Sequence, residues 1–228
     1  MKQEHHHHHG ADKHLPEVFV NTSYNSGIVT VEVRNADGLK ASLAETHEKR
    51  MHLVIVSADL ETFVHVHPVE NDSGNYEVEL ALSDGKYFSF ADINPVDMTY
   101  SIKPVPITVG EITEVKTPNW QLLKENDRSI KEIGGKTVGF EHPPITAGKP
   151  VVLSFDLHGE SPLPYLGALG HVVVLNEDAT QFIHVHPASE DVPEFEAQFP
   201  FPGFYKLWVE FKFADSGVLA FPFIVEVS

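Results

Sequence analysis

Short runs of alternating apolar and polar residues fill most of this chain of 228 residues. Many of the apolar positions are β-branched or aromatic, and Gly, Pro, Asp or Asn separates one run from the next. Alternating side chains occupy the two faces of a β-strand, and turn residues at short intervals are typical of antiparallel sandwiches. The pattern predicts strands at IVTVEV, HLVIVS, YEVELAL, KYFSFAD, VVLSFDL, FEAQF, YKLWVEF and FIVEV.

The two halves of the chain repeat one pattern. HLVIVSADLETFVHVHP begins at His52, and HVVVLNEDATQFIHVHP begins at His171. Downstream, DGKYFSFAD ends at Asp92 and PGFYKLWVE ends at Glu210. A repeat of this length indicates a tandem duplication of a domain. We therefore expect an all-β protein made of two tandem antiparallel β-sandwich domains.

The repeat also sets the predicted domain boundaries. A His-rich tail or tag covers residues 1–14, the first sandwich 15–110, a linker 111–128 and the second sandwich 129–228. The linker contains Pro118 and has no clear hydrophobic period. Its sequence is compatible with one helical turn. After it, SIKEIGGKTVGFE predicts a hairpin, because the pair Gly134-Gly135 supplies the positive φ of a two-residue turn.

Charge and cysteine content narrow the chemistry. The chain has 33 acidic and 16 basic residues and a formal charge of -17, which repels nucleic acid and attracts cations. It has no cysteine, so disulfides, thiolate zinc sites and thiol nucleophiles are excluded. The tract HHHHH near the start is either an expression tag or a native metal-scavenging segment.

Each copy contains the motif HVHP and a third histidine that lies 13 residues before its first His. His65 and His67 are two apart in a strand and therefore share one face. If Val56 pairs with Phe63 in a hairpin, paired positions sum to 119, and His52 lies opposite His67. Opposed residues share a face with Cβ atoms ~5 Å apart. Three imidazoles then converge at one end of the hairpin.

The second copy allows the same register, with Asn176 opposite Gln181, and this predicts one three-histidine metal site in each domain. The candidate ligands are His52, His65 and His67 in the first domain and His171, His184 and His186 in the second. Further candidates are His47, Asp92 and Glu210, and Met51 also flanks the first group. Imidazole ligands predict a divalent or monovalent transition-metal ion as cofactor, with copper or zinc foremost.

The segments HLVIVSADLETFVHVHP and GKYFSFADINP, and PYLGALGHVVVLNEDATQFIHVHP in the second copy, resemble bacterial cell-envelope domains of the YtkA-like and FixH-like kind. The resemblance covers most of residues 15–110 and 118–228. It implies an immunoglobulin-like sandwich outside the cytoplasm and a metal-handling role, often one in copper handling.

These observations predict a secreted or lipid-anchored protein that binds metal ions and is not an enzyme. No apolar run is long enough for a transmembrane helix, and a signal or lipid-anchor sequence before the present start would fit this setting. The main alternative is an immunoglobulin-like interaction module that binds another envelope protein and uses its histidines as structural pins. A zinc hydrolase is a third interpretation, but no acid–base group repeats with the histidines.

Overall fold

The computed structural model describes residues 15–112 and 117–228. The predicted His-rich tail, residues 1–14, lies outside the described residues. Within the described chain, no helix is both long and apolar enough to span a membrane.

Two antiparallel sheets form the first domain. Its strands are β1 (Val18–Asn25), β2 (Ile28–Asn35), β3 (Leu43–Ala44), β4 (Met51–Ser57), β5 (Phe63–Val66), β6 (Val69–Glu70), β7 (Tyr76–Glu79), β8 (Gly85–Pro95) and β9 (Val105–Val109). One sheet has the order β1-β2-β7-β6, and the other has the order β3-β8-β4-β5 with β9 also paired to β8. The two sheets enclose an apolar core that includes Val31, Leu53 and Ile55.

The second domain repeats this two-sheet arrangement. Its strands are β10 (Ile130–Ile133), β11 (Lys136–Glu141), β12 (Pro150–Asp156), β13 (His171–Asn176), β14 (Phe182–Ile183), β15 (His186–Pro187), β16 (Glu194–Gln198), β17 (Gly203–Phe213) and β18 (Gly217–Val227). One sheet has the order β10-β11-β12-β16-β15 and the other β14-β13-β17-β18. The protein is thus all-β, with two tandem immunoglobulin-like antiparallel sandwiches, as the sequence predicts.

The segment before the second domain contains the helix α1 (Trp120–Asn126), whose N-cap Asn119 accepts a hydrogen bond from the Leu122 amide. Lys124 donates from Nζ to the Ile224 carbonyl at 2.9 Å, which fixes the helix to β18. The predicted Gly134-Gly135 hairpin is confirmed: both residues have positive φ, and Ile133 pairs with Lys136.

Both predicted histidine hairpins have the expected register. In the first, Val56 pairs with Phe63 and Val54 with His65, so paired positions sum to 119. In the second, Leu175 pairs with Phe182, and the Asn176 amide donates to the Gln181 carbonyl at 3.3 Å.

The two domains pack against each other through the sheets that contain β4 and β13. Both strands are buried on both faces, because alternate residues face the domain's own core and the other domain. In β4, Leu53 and Ile55 belong to the core of the first domain, whereas Val54 and Val56 pack against the second domain. This shared cluster, the interdomain core, comprises Val54, Val56, Leu60, Phe90, Val173, Leu175, Ala179 and Trp208.

Aromatic contacts show that equivalent positions meet across this interface. Phe63 stacks on Trp208 with ring centroids 4.7 Å apart, and Phe182 lies 5.9 Å from Phe90. Phe63 and Phe182 occupy the same position in the two copies. The domains are therefore related by an approximate twofold axis, as in an isologous dimer.

Candidate metal centre between the two domains

His52 and His171 lie at the beginning of β4 and β13 and point toward the interdomain interface. They share the strand face of Val54 and Val173, which belong to the interdomain core. His52 is only 3% exposed, and its ring lies 5.9 Å from the ring of His171. The twofold arrangement of the domains thus brings the lone histidine of each copy together.

The hairpin partner of β4 adds two more imidazoles. His65 pairs with Val54, so its side chain faces the second domain, and this side chain has no exposed surface. The ring of His65 lies 5.4 Å from that of His52 and 4.7 Å from that of His171. His67 follows the end of β5, with its ring 4.9 Å from that of His52.

A backbone carbonyl fixes the protonation of His52. Its Nε2 lies 2.9 Å from the carbonyl oxygen of Thr46, which can only accept a hydrogen bond. Nε2 must therefore carry the proton, and in the neutral ring Nδ1 has a free lone pair. This Nδ1 lies 3.2 Å from Nε2 of His65 and 3.2 Å from Nε2 of His67.

The carboxylate of Glu210 orients the other two rings. Its Oε2 accepts from Nδ1 of His65 at 2.6 Å and from Nδ1 of His171 at 3.0 Å. The proton of each neutral ring is thereby placed on Nδ1, which leaves Nε2 of both histidines with a lone pair. Glu210 is 3% exposed and lies opposite His171 on β17. One buried carboxylate therefore aligns an imidazole from each domain.

Three ligand nitrogens meet at this point. The ligand atoms of His52, His65 and His171 all lie within 4.8 Å of one another. Tetrahedral coordination with Zn–N bonds of about 2.0–2.1 Å separates two ligand nitrogens by about 3.3 Å. The 3.2 Å between Nδ1 of His52 and Nε2 of His65 is close to that value. We call these three residues the inner triad.

Burial favours the neutral form of three of these imidazoles, those of His52, His67 and His171. It lowers the pKa of His52 to about 4, although the hydrogen bond to Thr46 opposes this shift. Burial, together with the charges of His65 and Lys49, lowers the pKa of His67 to about 4. Burial also lowers the pKa of His171, against the hydrogen bond to Glu210. Neutral imidazole is the form that coordinates a metal ion.

Glu210 stays ionised in this buried position. Burial alone would raise the pKa of its carboxyl, but the charge of His65 and the hydrogen bonds from His171 and His65 hold it at about 2. The site therefore places one fixed negative charge beside the imidazoles, and such a charge attracts a cation.

The grouping of the histidines differs from the sequence prediction. We expected one separate three-histidine group in each domain, whereas the inner triad takes His52 and His65 from the first domain and His171 from the second. His184 and His186 do not join it. His184 is exposed, with Nδ1 3.9 Å from Oδ2 of Asp92, which is beyond hydrogen-bonding distance.

The strand path explains this departure from symmetry. The first hairpin continues to Val66, but the second ends at Ile183, two positions short of the equivalent residue. His186 then pairs with Glu196 in the other sheet of the second domain. The second HVHP motif is thereby drawn away from His171, and its rings stack on each other with centroids 6.1 Å apart.

The remaining candidates occupy the periphery or the core. His47 is exposed, and its ring centroid lies 6.1 Å from that of His52. Asp92 lies opposite His52 on β8, the position equivalent to Glu210, but the hydrogen bonds described above involve Glu210 alone. Met51 is 1% exposed and belongs to the core of the first domain, so its thioether faces away from the inner triad.

An open cleft leads from the imidazoles to solvent. Its lining includes His65, His67 and Glu210, with Lys49 and Tyr165 beside them. His67 is partly exposed where it lines this cleft, whereas the side chain of His65 beside it is buried. The cleft gives the inner triad a route to the surface.

Comparison with known families gives one match over most of the chain. The family model described as "Domain of unknown function (DUF8832)" matches residues 6–111 and 131–228. Among curated proteins, none matches the chain at a significant level. The resemblance to YtkA-like and FixH-like domains stays a prediction.

The solved structures that match the chain share little sequence with it. The fibronectin(III)-like modules of Clostridium thermocellum CbhA are 12% identical, with 92% of each chain covered and a TM-score of 0.25. Bacteroides ovatus SGBP-B, solved with a mixed-linkage heptasaccharide, is 13% identical over 93% of this chain and 43% of its own, with a TM-score of 0.23.

The Yersinia pseudotuberculosis adhesin InvE is 12% identical over 96% of this chain and 62% of its own, with a TM-score of 0.24. The chain thus spans less than two thirds of both SGBP-B and InvE. At these TM-scores the likenesses carry no argument, and the fold assignment rests on the sheets described above.

Proposed function

The chain belongs to the DUF8832 family, and we propose that it binds one divalent transition-metal ion, zinc or copper, between its two domains. The inner triad would supply three imidazole nitrogens, and the cleft lined by His65, His67 and Glu210 would give the ion access. The proposed role is binding and not catalysis, because the carboxylate at the site accepts hydrogen bonds from two imidazoles and has a pKa of about 2. Such a group is a poor general base at neutral pH.

One observation carries this proposal: in each inner-triad ring, the nitrogen that is not the proposed ligand donates its hydrogen to a carbonyl or carboxylate oxygen. Thr46 holds the N–H of His52, and Glu210 holds those of His65 and His171. Histidines that ligate metals almost always donate their other N–H to a carboxylate or a carbonyl, which sets the tautomer and the ring orientation. Three ligand atoms within 4.8 Å of one another, each on a ring oriented in this way, support a metal site more strongly than three nearby rings would.

The ligand chemistry favours a divalent ion. Imidazole nitrogens suit zinc and copper(II), whereas copper(I) prefers thiolate or thioether ligands. The chain has no cysteine, and Met51 lies in the core of the first domain. An acidic protein of charge -17 also attracts cations to its surface.

A location outside the cytoplasm is part of the proposal. It is supported by the immunoglobulin-like fold and the resemblance of the HVHP segments to envelope domains. Secretion or a lipid anchor would place the protein there. A metal-binding protein in that compartment would buffer or deliver its ion.

The test uses the chain from residue 15 onward, because the tract HHHHH binds metal on its own. We expect calorimetric titration with zinc to give one tightly bound ion per chain. His171→Ala should weaken this binding by more than about 100-fold, the upper end of what loss of a single orienting partner costs. The exposed His158, which also belongs to the second domain, provides the control His158→Ala, for which we expect wild-type affinity.

Two outcomes would reject the proposal. One is wild-type protein that binds no ion more tightly than the exposed histidines do. The other is a His171→Ala variant that retains wild-type affinity, since the site would then lie elsewhere. Two ions per chain, each lost with the histidines of one domain, would restore the two-site prediction from the sequence.

One observation favours the alternative of a structural histidine cluster in an interaction module. If His65 carries a proton on both nitrogens, it donates to Glu210 at 2.6 Å and to Nδ1 of His52 at 3.2 Å. All three groups are then satisfied without a metal, and a charge-assisted pair links the domains. On this alternative, replacement of His65 lowers the free energy of unfolding but leaves the measured metal stoichiometry unchanged.

A further inference from the structure

His67 differs from the inner triad in how it is held. The three triad rings have their far N–H groups tied to Thr46 or Glu210. For His67, the described residues show one polar contact, from Nε2 to Nδ1 of His52 at 3.2 Å. Its side chain is partly exposed, whereas that of His65 is fully buried. Among the contacts of the described residues, His67 thus has no carbonyl or carboxylate acceptor of the kind that fixes each triad ring.

Two ligand sets overlap at a single atom. Nδ1 of His52 lies 3.2 Å from Nε2 of His65 and equally 3.2 Å from Nε2 of His67. His67 is not a member of the set whose ligand atoms all lie within 4.8 Å of one another. One set, His52 with His67, therefore lies toward the surface, and the other, the inner triad, lies deeper. Both distances are suitable for two nitrogens that share one tetrahedral ion.

The cleft places His67 on the path to the inner triad. Lys49 and Tyr165 line the cleft beside His67, with His65 and Glu210 at its inner side. Because the interdomain core closes the opposite side of the site with Val54 and Val173, which are both 0% exposed, an ion reaches His65 past His67.

We propose that His67 is the exchange ligand, which takes an ion from solvent and passes it to the inner triad. This inference rests on the proposed metal-binding function. Nε2 of His67 first replaces one water of the hydrated ion, and Nδ1 of His52 replaces a second. Nε2 of His65 and of His171 then bind as the bond to His67 breaks.

The inference predicts an effect on rates and not on equilibrium affinity. We expect His67→Ala to slow zinc uptake and zinc release by about tenfold each, equivalent to about 1.4 kcal/mol in the barrier. The dissociation constant should stay within the error of the wild-type value, because uptake and release change together. Stopped-flow mixing with a chromogenic zinc chelator measures both rates on the chain from residue 15 onward.

The second copy offers a matched control. His186 occupies the position equivalent to His67 but is exposed and pairs with Glu196, away from the inner triad. His186→Ala should leave both rates at the wild-type values. His67→Gln provides a second variant that keeps a polar side chain of similar length, and a thermal melt without metal shows that each variant is folded.

The possible results separate the alternatives. A higher dissociation constant with faster release would show that His67 is an ordinary resident ligand and would overturn the exchange role. Unchanged rates in both His67 variants would overturn it as well. Failure of the wild-type chain to bind zinc would instead reject the metal-binding function, so the two failures are distinguishable.

Discussion

Nδ1 of His65 lies 2.6 Å from Oε2 of Glu210, although 145 residues separate them and each belongs to a different domain. The same oxygen also accepts a hydrogen bond from His171 of its own domain. Neither domain therefore contains the complete arrangement of ligands and orienting groups. Metal affinity and domain packing should depend on each other, and the first two predictions examine this dependence.

Glu210→Gln should weaken zinc binding by about 10–100-fold, the usual cost of losing a group that orients metal-ligating histidines. The amide has one acceptor oxygen and no charge, so it cannot hold both imidazoles as the carboxylate does. The matched control is Asp92→Asn at the equivalent position of the first domain. Nδ1 of His184 lies 3.9 Å from Oδ2 of Asp92, beyond hydrogen-bonding distance. We therefore expect Asp92→Asn to have wild-type affinity. Competition titration against a chelator compares the two variants, and equal losses would contradict the role of Glu210.

Trp208→Ala tests the interdomain core. Trp208 is 3% exposed and stacks on Phe63 of the other domain, so its removal should lower the free energy of unfolding by about 3–5 kcal/mol. Zinc affinity should fall as well, because the domains that align His65 and His171 are less firmly packed. Phe201→Ala, at a residue 58% exposed, should change neither quantity. Wild-type zinc affinity in a destabilised Trp208→Ala protein would show that packing and binding are independent.

Much of the fold follows from local patterns in the sequence. The strand periods and turn residues predict the two sandwiches, and the pairing of Val56 with Phe63 is predicted correctly. Register is this predictable because the length and type of the turn fix the pairing of a hairpin. The convergence of His52 and His67 at the hairpin end follows from that register alone.

The interdomain arrangement was not predicted, although the sequence contains a signal for it. HLVIVS and HVVVLN are continuous apolar runs, which are typical of strands buried on both faces. Such runs indicate that each sheet is covered on its outer side as well. Which histidines then meet depends on the twofold packing and on where the second hairpin ends, and neither has a local signature. The hydrogen bond from His52 to Thr46 was not predicted, because the acceptor is a backbone carbonyl and the sequence identifies only ligand side chains.

Gly170→Ala should disturb the site through the backbone. A Cβ at this position would lie 2.7 Å from the carbonyl oxygen of Glu210 and 2.7 Å from Cε1 of Phe211. Neither neighbour can yield without moving β17, so we expect a loss of about 1–3 kcal/mol in the free energy of unfolding and weaker zinc binding. In the control Gly85→Ala, the nearest atom is a ring carbon of Tyr87 at 3.4 Å. Chemical denaturation of both variants gives the comparison, and equal stabilities would count against the crowding at Gly170.

The last prediction concerns the pH dependence of stability in the metal-free protein. His52 and His67 have pKa values of about 4 in the folded protein, whereas in the unfolded chain an imidazole has its usual pKa of about 6.5. Between these values the unfolded state binds more protons, so the free energy of unfolding falls as the pH falls. The contribution of the neutral rings is complete above pH about 6.5 and is lost as the pH approaches 4.

Glu210 acts in the same direction at lower pH. Its folded pKa is about 2, below the usual carboxyl value of about 4.3. Its contribution to the free energy of unfolding is therefore lost as the pH falls from about 4.3 to about 2. Denaturation midpoints measured with a chelator present at several pH values from about 7.5 down to about 2 would show two successive losses, the first between about 6.5 and about 4 and the second below about 4.3. His52→Gln with His67→Gln should flatten the first loss and keep the second. A midpoint that is constant from pH 7.5 to 5 would mean that these rings are not held neutral in the folded protein.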